Sequence, residues 1–310
     1  MSDNILDNLC VIHADFDIWS GQTRLSVDDF TLGEGGKIPP ERLAQLGSKR
    51  ICNPGKLRGF SRLKTQARRL LLRAGMPFMD GFAVPVSKAD ELVAELGSIS
   101  KQFETMKEEF IAGYHQAVDE WCQENAEYEA AIRAGTPPRD VVEKRIAFEF
   151  QVFMIQPVGG GDSAQRLDRK VERLGGDLID EVVRTAGKFF SDNLAGRTEC
   201  ATSTAQTLRN LRDKVDGLAF LNGDLDRLVE LLDSTLQGYA QFADGRNITA
   251  PFIHQVTAAV LILSDKKRIE QYIDGAISVD DMTVAATPVT TTPVAVPAPA
   301  ADEEEEDCFF

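Results

Sequence analysis

From Cys10 to Trp19 the side chains alternate, with Cys10, Ile12, Ala14, Phe16 and Ile18 on one side and His13, Asp15 and Asp17 on the other. A period of two is that of a half-buried strand. Ser20 to Thr23 supplies a turn and Arg24 to Leu32 alternates again, so the N-terminus predicts a β-hairpin. Gly33 to Pro40 reads as a loop, followed by a short helix over Glu41 to Leu46 that ends at Gly47. Gly81 to Val86 is strand-like, and Ala147 to Gln156 alternates in a way that suggests pairing with the hairpin.

Elsewhere the apolar residues recur at spacings of three, four and seven, the helical pattern. Lys56 to Ala74 predicts a helix between the turn pair Asn53-Pro54 and the stop at Gly75 and Pro77. Ser87 to Arg133 carries Leu92, Leu96, Ile99, Phe103, Phe110, Tyr114 and Tyr128 in phase, which predicts one long helix or two nearly continuous ones, with Ser87 and Asp90 as a capping box. After the Gly135-Thr136-Pro137-Pro138 break, helices are predicted over Arg139–Arg145, Ser163–Asn193, Thr202–Phe220, Leu225–Phe242 and Pro251–Ile273.

The class is therefore α+β and predominantly α-helical, with too few strands for an oligonucleotide-binding barrel. Three regions follow: an α+β module over 1–158, a helical region over 159–277 packed on it, and a disordered Pro-, Ala- and Thr-rich tether over 278–310.

Charge changes this picture in two places. The formal net charge is −15, yet Gly47 to Gly75 contains Lys49, Arg50, Lys56, Arg58, Arg62, Lys64, Arg68, Arg69 and Arg73 and no Asp or Glu. On a helical wheel Arg58, Arg62, Arg69 and Arg73 fall within about 60° of one another, opposite Phe60, Leu63, Ala67, Leu70 and Leu71. Such a stripe can bridge successive phosphates, and each neutralised phosphate releases counterions. The plainer reading is a solvated face paired with carboxylates of the body. Trp19 and Phe60 are candidates to stack on bases, although Phe60 also suits a core.

The second place is the tail. Prolines 288, 293, 297 and 299 among small residues lead into Asp302, Glu303, Glu304, Glu305, Glu306, Asp307, Cys308, Phe309 and Phe310. Consecutive carboxylates keep a segment extended, and the two rings have no neighbouring chain to cover them, so the tip predicts a docking peptide rather than a mere solubilising tail. Tether, acid cluster and terminal aromatics together resemble the C-terminal tip of bacterial and phage single-stranded DNA-binding proteins. That resemblance implies docking onto replication and recombination proteins, with Asp302 to Asp307 as the electrostatic part and Phe309 and Phe310 as the anchor. Cys308-Phe309 stands where such tips commonly have Ile-Pro, and the likeness covers the tether and tip alone. More loosely, W-S-G-Q-T-R-L, L-G-S-K-R-I, M-D-G-F-A-V-P and the long helix toward Trp121 are similar to an uncharacterised bacterial family carried by phages and integrative elements, with members sometimes encoded beside a MoxR-like ATPase.

Catalytic signals are weak. There is no phosphate-loop Gly-Lys-Ser/Thr motif and no H-E-x-x-H; Gly159-Gly160-Gly161-Asp162 lacks the lysine and reads as a turn. His13, Asp15 and Asp17 could hold a divalent ion for a nuclease, but a solvated strand face accounts for the alternation. No nucleophile with its base is visible, and the expectation is a non-enzyme without cofactor or metal. Five scattered cysteines without a C-x-x-C pair suggest reduced cytoplasmic thiols, no secretory signal is present, and Val256 to Leu263 is too short to span a bilayer.

The functional expectation is a single-stranded DNA-binding protein of phage or mobile-element replication and recombination. It would contact phosphates through the basic segment and recruit partners through its acidic tip, with the tip occupying the basic surface when DNA is absent. The alternative is a helical adaptor or scaffold for a MoxR-like AAA+ ATPase, without DNA affinity, whose long helices assemble a homo-oligomer.

Overall fold

The computed structural model describes residues 2–29, 45–157, 159 and 161–286. The chain runs through helix α1 (Ser2–Asp7), strands β1 (Leu9–Ile18), β2 (Gln22–Arg24) and β3 (Ser48–Arg50), helix α2 (Arg58–Ala74), strands β4 (Met76–Phe78) and β5 (Gly81–Pro85), and helices α3 (Val86–Ala112), α4 (Tyr114–Glu124), α5 (Glu129–Ala134) and α6 (Arg139–Lys144). Strand β6 (Ile146–Met154) closes the first half. The second half is α7 (Asp162–Asn193), β7 (Cys200–Ala201), α8 (Ala205–Gly217), α9 (Leu225–Phe242), β8 (Asn247–Ile248), α10 (Phe252–Leu263), α11 (Lys266–Ile273) and α12 (Val279–Ala286).

The main sheet is antiparallel and open, in the order β4-β5-β1-β6, so the fold is α+β and mostly helical with no closed barrel among the described residues. Strand β1 is central: Leu9 to Ile12 pair with Pro85 to Phe82, while Cys10 to Ile18 pair with Met154 to Ile146. Alternation gives its two faces to two different cores. Cys10 and Ile12 join Ile51, Phe60, Leu71, Leu96 and Phe103 beneath α2 and α3, whereas Leu9 and Val11 join Leu178, Val182, Leu228 and Val256 of the helical half. Further along, Phe16 continues the first side, and Asp15 and Asp17 emerge into solvent beyond the cover of the second.

The expected N-terminal hairpin does not form. Gly21, at φ +67°, turns the chain away from β1, and β2 pairs instead with β3 across Gln22↔Arg50 and Arg24↔Ser48. Strand β6 takes one edge of β1 from Cys10 to Ile18, and β5 takes the other from Leu9 to Ile12. Residues Val27–Asp29 then wind into a 3₁₀ turn in which the Asp29 carboxylate accepts the Ser26 amide at 2.7 Å, a local bond that competes with strand pairing. The predicted loop at Gly33–Pro40 and residues 41–44 of the predicted short helix lie outside the described residues, and 45–47 are not helical.

Other departures have equally local causes. Helix α3 starts at Val86 with no side-chain cap, because the Val86 amide already donates to the Asn8 carbonyl at 2.9 Å; Ser87 lies inside the first turn, so no Ser87–Asp90 box is made. Of the two forms expected over Ser87–Arg133 the two nearly continuous helices are found, meeting at Gly113, but the second ends at Glu124. The predicted Pro251–Ile273 helix breaks at Asp265, whose carboxylate caps the Arg268 amide at 3.1 Å. The predicted Thr202–Phe220 helix is α8 flanked by two 3₁₀ turns. Strand β4 was not foreseen: its two-residue turn to β5 puts Met79 and Asp80 at φ 46° and 63°, left-handed values without a glycine at either position. Helix α12 begins at Val279, within the region from 278 onward expected to be tether. Ser278 and Asp281 make a reciprocal capping box, and Met282 packs on the helical core.

Candidate nucleic-acid interface

Helix α2 is fixed at both ends. Asn53 Oδ1 accepts the Gly55 amide at 2.8 Å and caps the 3₁₀ turn Pro54–Leu57 that leads into the helix. At the other end, a β-carbon on Gly75 would lie 2.3 Å from the Ala83 carbonyl oxygen, so only glycine permits this approach to β5. Between these anchors Phe60, Leu63, Ala67, Leu70 and Leu71 are buried. Apolar burial of that order, about 1.5–3 kcal/mol per large side chain, holds the opposite face outward.

That face exposes Arg58, Arg62, Lys64, Arg68, Arg69 and Arg73. Arg58, Arg62, Arg69 and Arg73 line one open groove of about 890 Å³ together with Ser61, Thr65, Gln66 and Glu95 of α3. Lys64 and Arg68 lean to the other flank of the helix, toward Phe16 and Phe82. Among the described residues no carboxylate pairs with Arg58, Arg62, Lys64, Arg68 or Arg69; Arg73 reaches Glu95 at 3.3 Å with both side chains half-exposed. The stripe is thus free and solvated over most of its length.

The remaining basic residues separate from it. Lys49 is engaged by Asp29 in an ion pair with both side chains largely buried, and that bond, followed by the Ser26 amide, holds the Asp29 carboxyl below its usual value. Lys56 pairs with Glu120 at 3.0 Å, and its hydrogen bond is the main cause of the lowered Glu120 carboxyl. Arg50 is exposed on β3, in a third groove with Trp121 and Tyr128; the Trp121 indole donates to the Arg50 carbonyl at 3.1 Å.

Neither expected stacking ring can reach a base. Phe60 is 0% and Trp19 1% exposed, inside an aromatic cluster in which Phe60 meets Phe103 edge-on at 5.0 Å and Trp19 meets Tyr114 at 5.7 Å. Among the described residues the most exposed ring is Tyr128, 63% on a 3₁₀ turn, which the helical phase of the sequence assigns to a buried stripe; Phe242 and Phe153 are exposed as well. Cys10, Cys52, Cys122 and Cys200 are buried and free, and burial pushes the Cys52 thiol up to about 11.

His13, Asp15 and Asp17 share one face of β1, and no group of three or more metal-ligating side chains is placed to hold an ion among the described residues. No helix among them is long and apolar enough to cross a membrane. The tip residues Asp302 to Asp307, Phe309 and Phe310 lie outside the described residues. Comparison with curated proteins and with solved structures finds no match. The profile of one family, described as a protein of unknown function (DUF3150), matches residues 6–265, and the chain belongs to that uncharacterised family.

Proposed function

We propose that this protein binds single-stranded nucleic acid, DNA above all, along the exposed arginine face of α2, and serves phage or mobile-element replication or recombination by recruiting partners through its acidic tip. The observation that carries this reading is a row of uncompensated guanidinium groups in a chain of net charge −15. An acidic protein has carboxylates in excess, and among the described residues it leaves Arg58, Arg62 and Arg69 without one. Their spacing along one groove suits a backbone of regularly spaced phosphates, with Ser61, Thr65 and Gln66 supplying neutral donors between them.

Fluorescence anisotropy of labelled single-stranded DNA, duplex and RNA, titrated against salt, tests it. Four to six phosphate contacts give a slope of log K against log salt of about −3 to −4 on a single strand. Absence of binding, or binding indifferent to salt and to the Arg62→Glu/Arg69→Glu double variant, would sink the reading and leave the ATPase adaptor as the one to pursue.

A further inference from the structure

Across α2 from the arginine groove lies a second cleft, of about 480 Å³. Phe16 and Phe82, both half-buried, form its apolar lining with Met79, which is 45% exposed at the β4–β5 turn. Lys64 and Arg68 line its α2 side, and the Lys64 ammonium sits 5.9 Å from the centre of the Phe16 ring. Neither cation has a carboxylate partner among the described residues. The one acid in the lining, Asp80, stands on the turn rather than on α2. Aromatic lining beneath two unpaired cations is suited to a ligand that is apolar at one end and multiply anionic beside it.

The same chain carries such a ligand. Six consecutive carboxylates, Asp302 to Asp307, adjoin Phe309 and Phe310, and the residues from 287 onward that connect them to α12 are Pro-, Thr- and Ala-rich. Residues 287 to 310 number 24, and a chain of that length spans at most about 80 Å. The folded body has a radius of gyration of about 19 Å. The tether therefore suffices to carry the tip to any face of its own body, at an effective concentration in the millimolar range.

We propose that Phe309 and Phe310 seat in the Phe16–Phe82 cleft of the same chain, with Asp302 to Asp307 laid along Lys64 and Arg68. Docking itself needs no nucleic acid. Its consequence, that the carboxylates compete with a nucleic acid strand for Lys64 and Arg68, rests on the function proposed above. The aromatic cleft, rather than the arginine groove, is what anchors the tip.

Cys308 makes the test direct, since the four described cysteines are buried. In the full-length Met79→Cys variant, mild oxidation with copper phenanthroline is expected to join the introduced thiol to Cys308 within one chain. The linked peptide, read by mass spectrometry at low micromolar protein, forms at least tenfold faster than in a Phe242→Cys control on α9. Lys64→Glu/Arg68→Glu and Phe309→Ala/Phe310→Ala each reduce the rate to that of the control. Equal rates in the two cysteine variants, or links only between chains, overturn the proposal. So does an oligonucleotide that protects the cleft when no link forms in its absence, which would make the cleft a nucleobase site. A link that forms while no oligonucleotide binds leaves docking intact and removes the nucleic-acid reading; binding without the link does the reverse.

Discussion

Lys214 of α8 and Glu181 of α7 form an ion pair at 2.6 Å in which the lysine side chain is only 3% exposed. The same ammonium donates to the Leu72 carbonyl at 2.7 Å. That carbonyl belongs to the last turn of α2, where intrahelical partners run out, so one lysine caps α2 while tying it to two helices of the other half. Burial pulls the ammonium down from its usual value, and the Glu181 bond opposes that pull.

Replacing Lys214 by Met removes a donor from a buried carbonyl and a charge from a half-covered carboxylate. Glu181, at 28% side-chain exposure, regains some water, so the expected loss is about 2–3 kcal/mol rather than the larger figures for fully buried pairs. Urea unfolding reads it as a lowered midpoint with an unchanged slope. A loss under about 0.5 kcal/mol would show that the bond is not what joins α2 to α8.

The Asp29–Lys49 pair gives a pH dependence. The Lys49 bond holds the Asp29 carboxyl below its usual value in the folded chain. Its contribution is therefore present above the unfolded carboxylate value and disappears as pH falls through the lower, folded one. The stability difference between the native chain and Asp29→Asn is expected to be about 1–2 kcal/mol and flat above pH ~5. It should shrink toward zero below the usual carboxylate range; a difference that grows on acidification contradicts this pairing.

Nucleic-acid affinity should follow exposure rather than charge count. Lys49→Gln is expected to change it less than twofold, because Asp29 already occupies that ammonium. Arg62→Glu/Arg69→Glu is expected to cost at least tenfold and to reduce the salt slope by about 1.4, from two lost phosphate contacts on a single strand. Glu95→Gln frees Arg73 and should raise affinity two- to threefold. Anisotropy titrations at two salt concentrations separate these cases.

Phe60 should matter for folding alone. Phe60→Leu leaves a void between Phe103 and Phe110 and is expected to cost about 1–2 kcal/mol, with nucleic-acid affinity per folded molecule within twofold of the native chain. A large loss of affinity at unchanged stability would return the ring to the binding surface.

What the sequence disclosed depended on whether a signal was local. The amphipathic phase of α2 located both its buried residues and its exposed arginines, and the boundaries of α7 and α9 followed from periodicity and turn residues. Identical local patterns, however, met different fates. Ser87-x-x-Asp90 and Ser278-x-x-Asp281 read alike, yet only the second caps a helix, because the first amide is satisfied from the strand-side carbonyl of Asn8. Strand partners, too, are chosen by distant segments. Arg24 to Leu32 has the alternation of a hairpin arm, yet Arg24 pairs with Ser48 of β3 while β6 runs along β1 from Cys10 to Ile18. The commitment of Lys49 to Asp29 was equally invisible, since it depends on the β2–β3 ribbon.

Strand β1 has a consequence for how the molecule comes apart. Leu9 and Val11 are held by one core, Cys10 and Ile12 by the other, and the four are consecutive residues of one backbone. Neither core can be opened to solvent without disturbing the seating of the other, so heating should give one endotherm rather than two. A ligand on α2 should then slow amide hydrogen exchange in α9 and α10, helices it never touches.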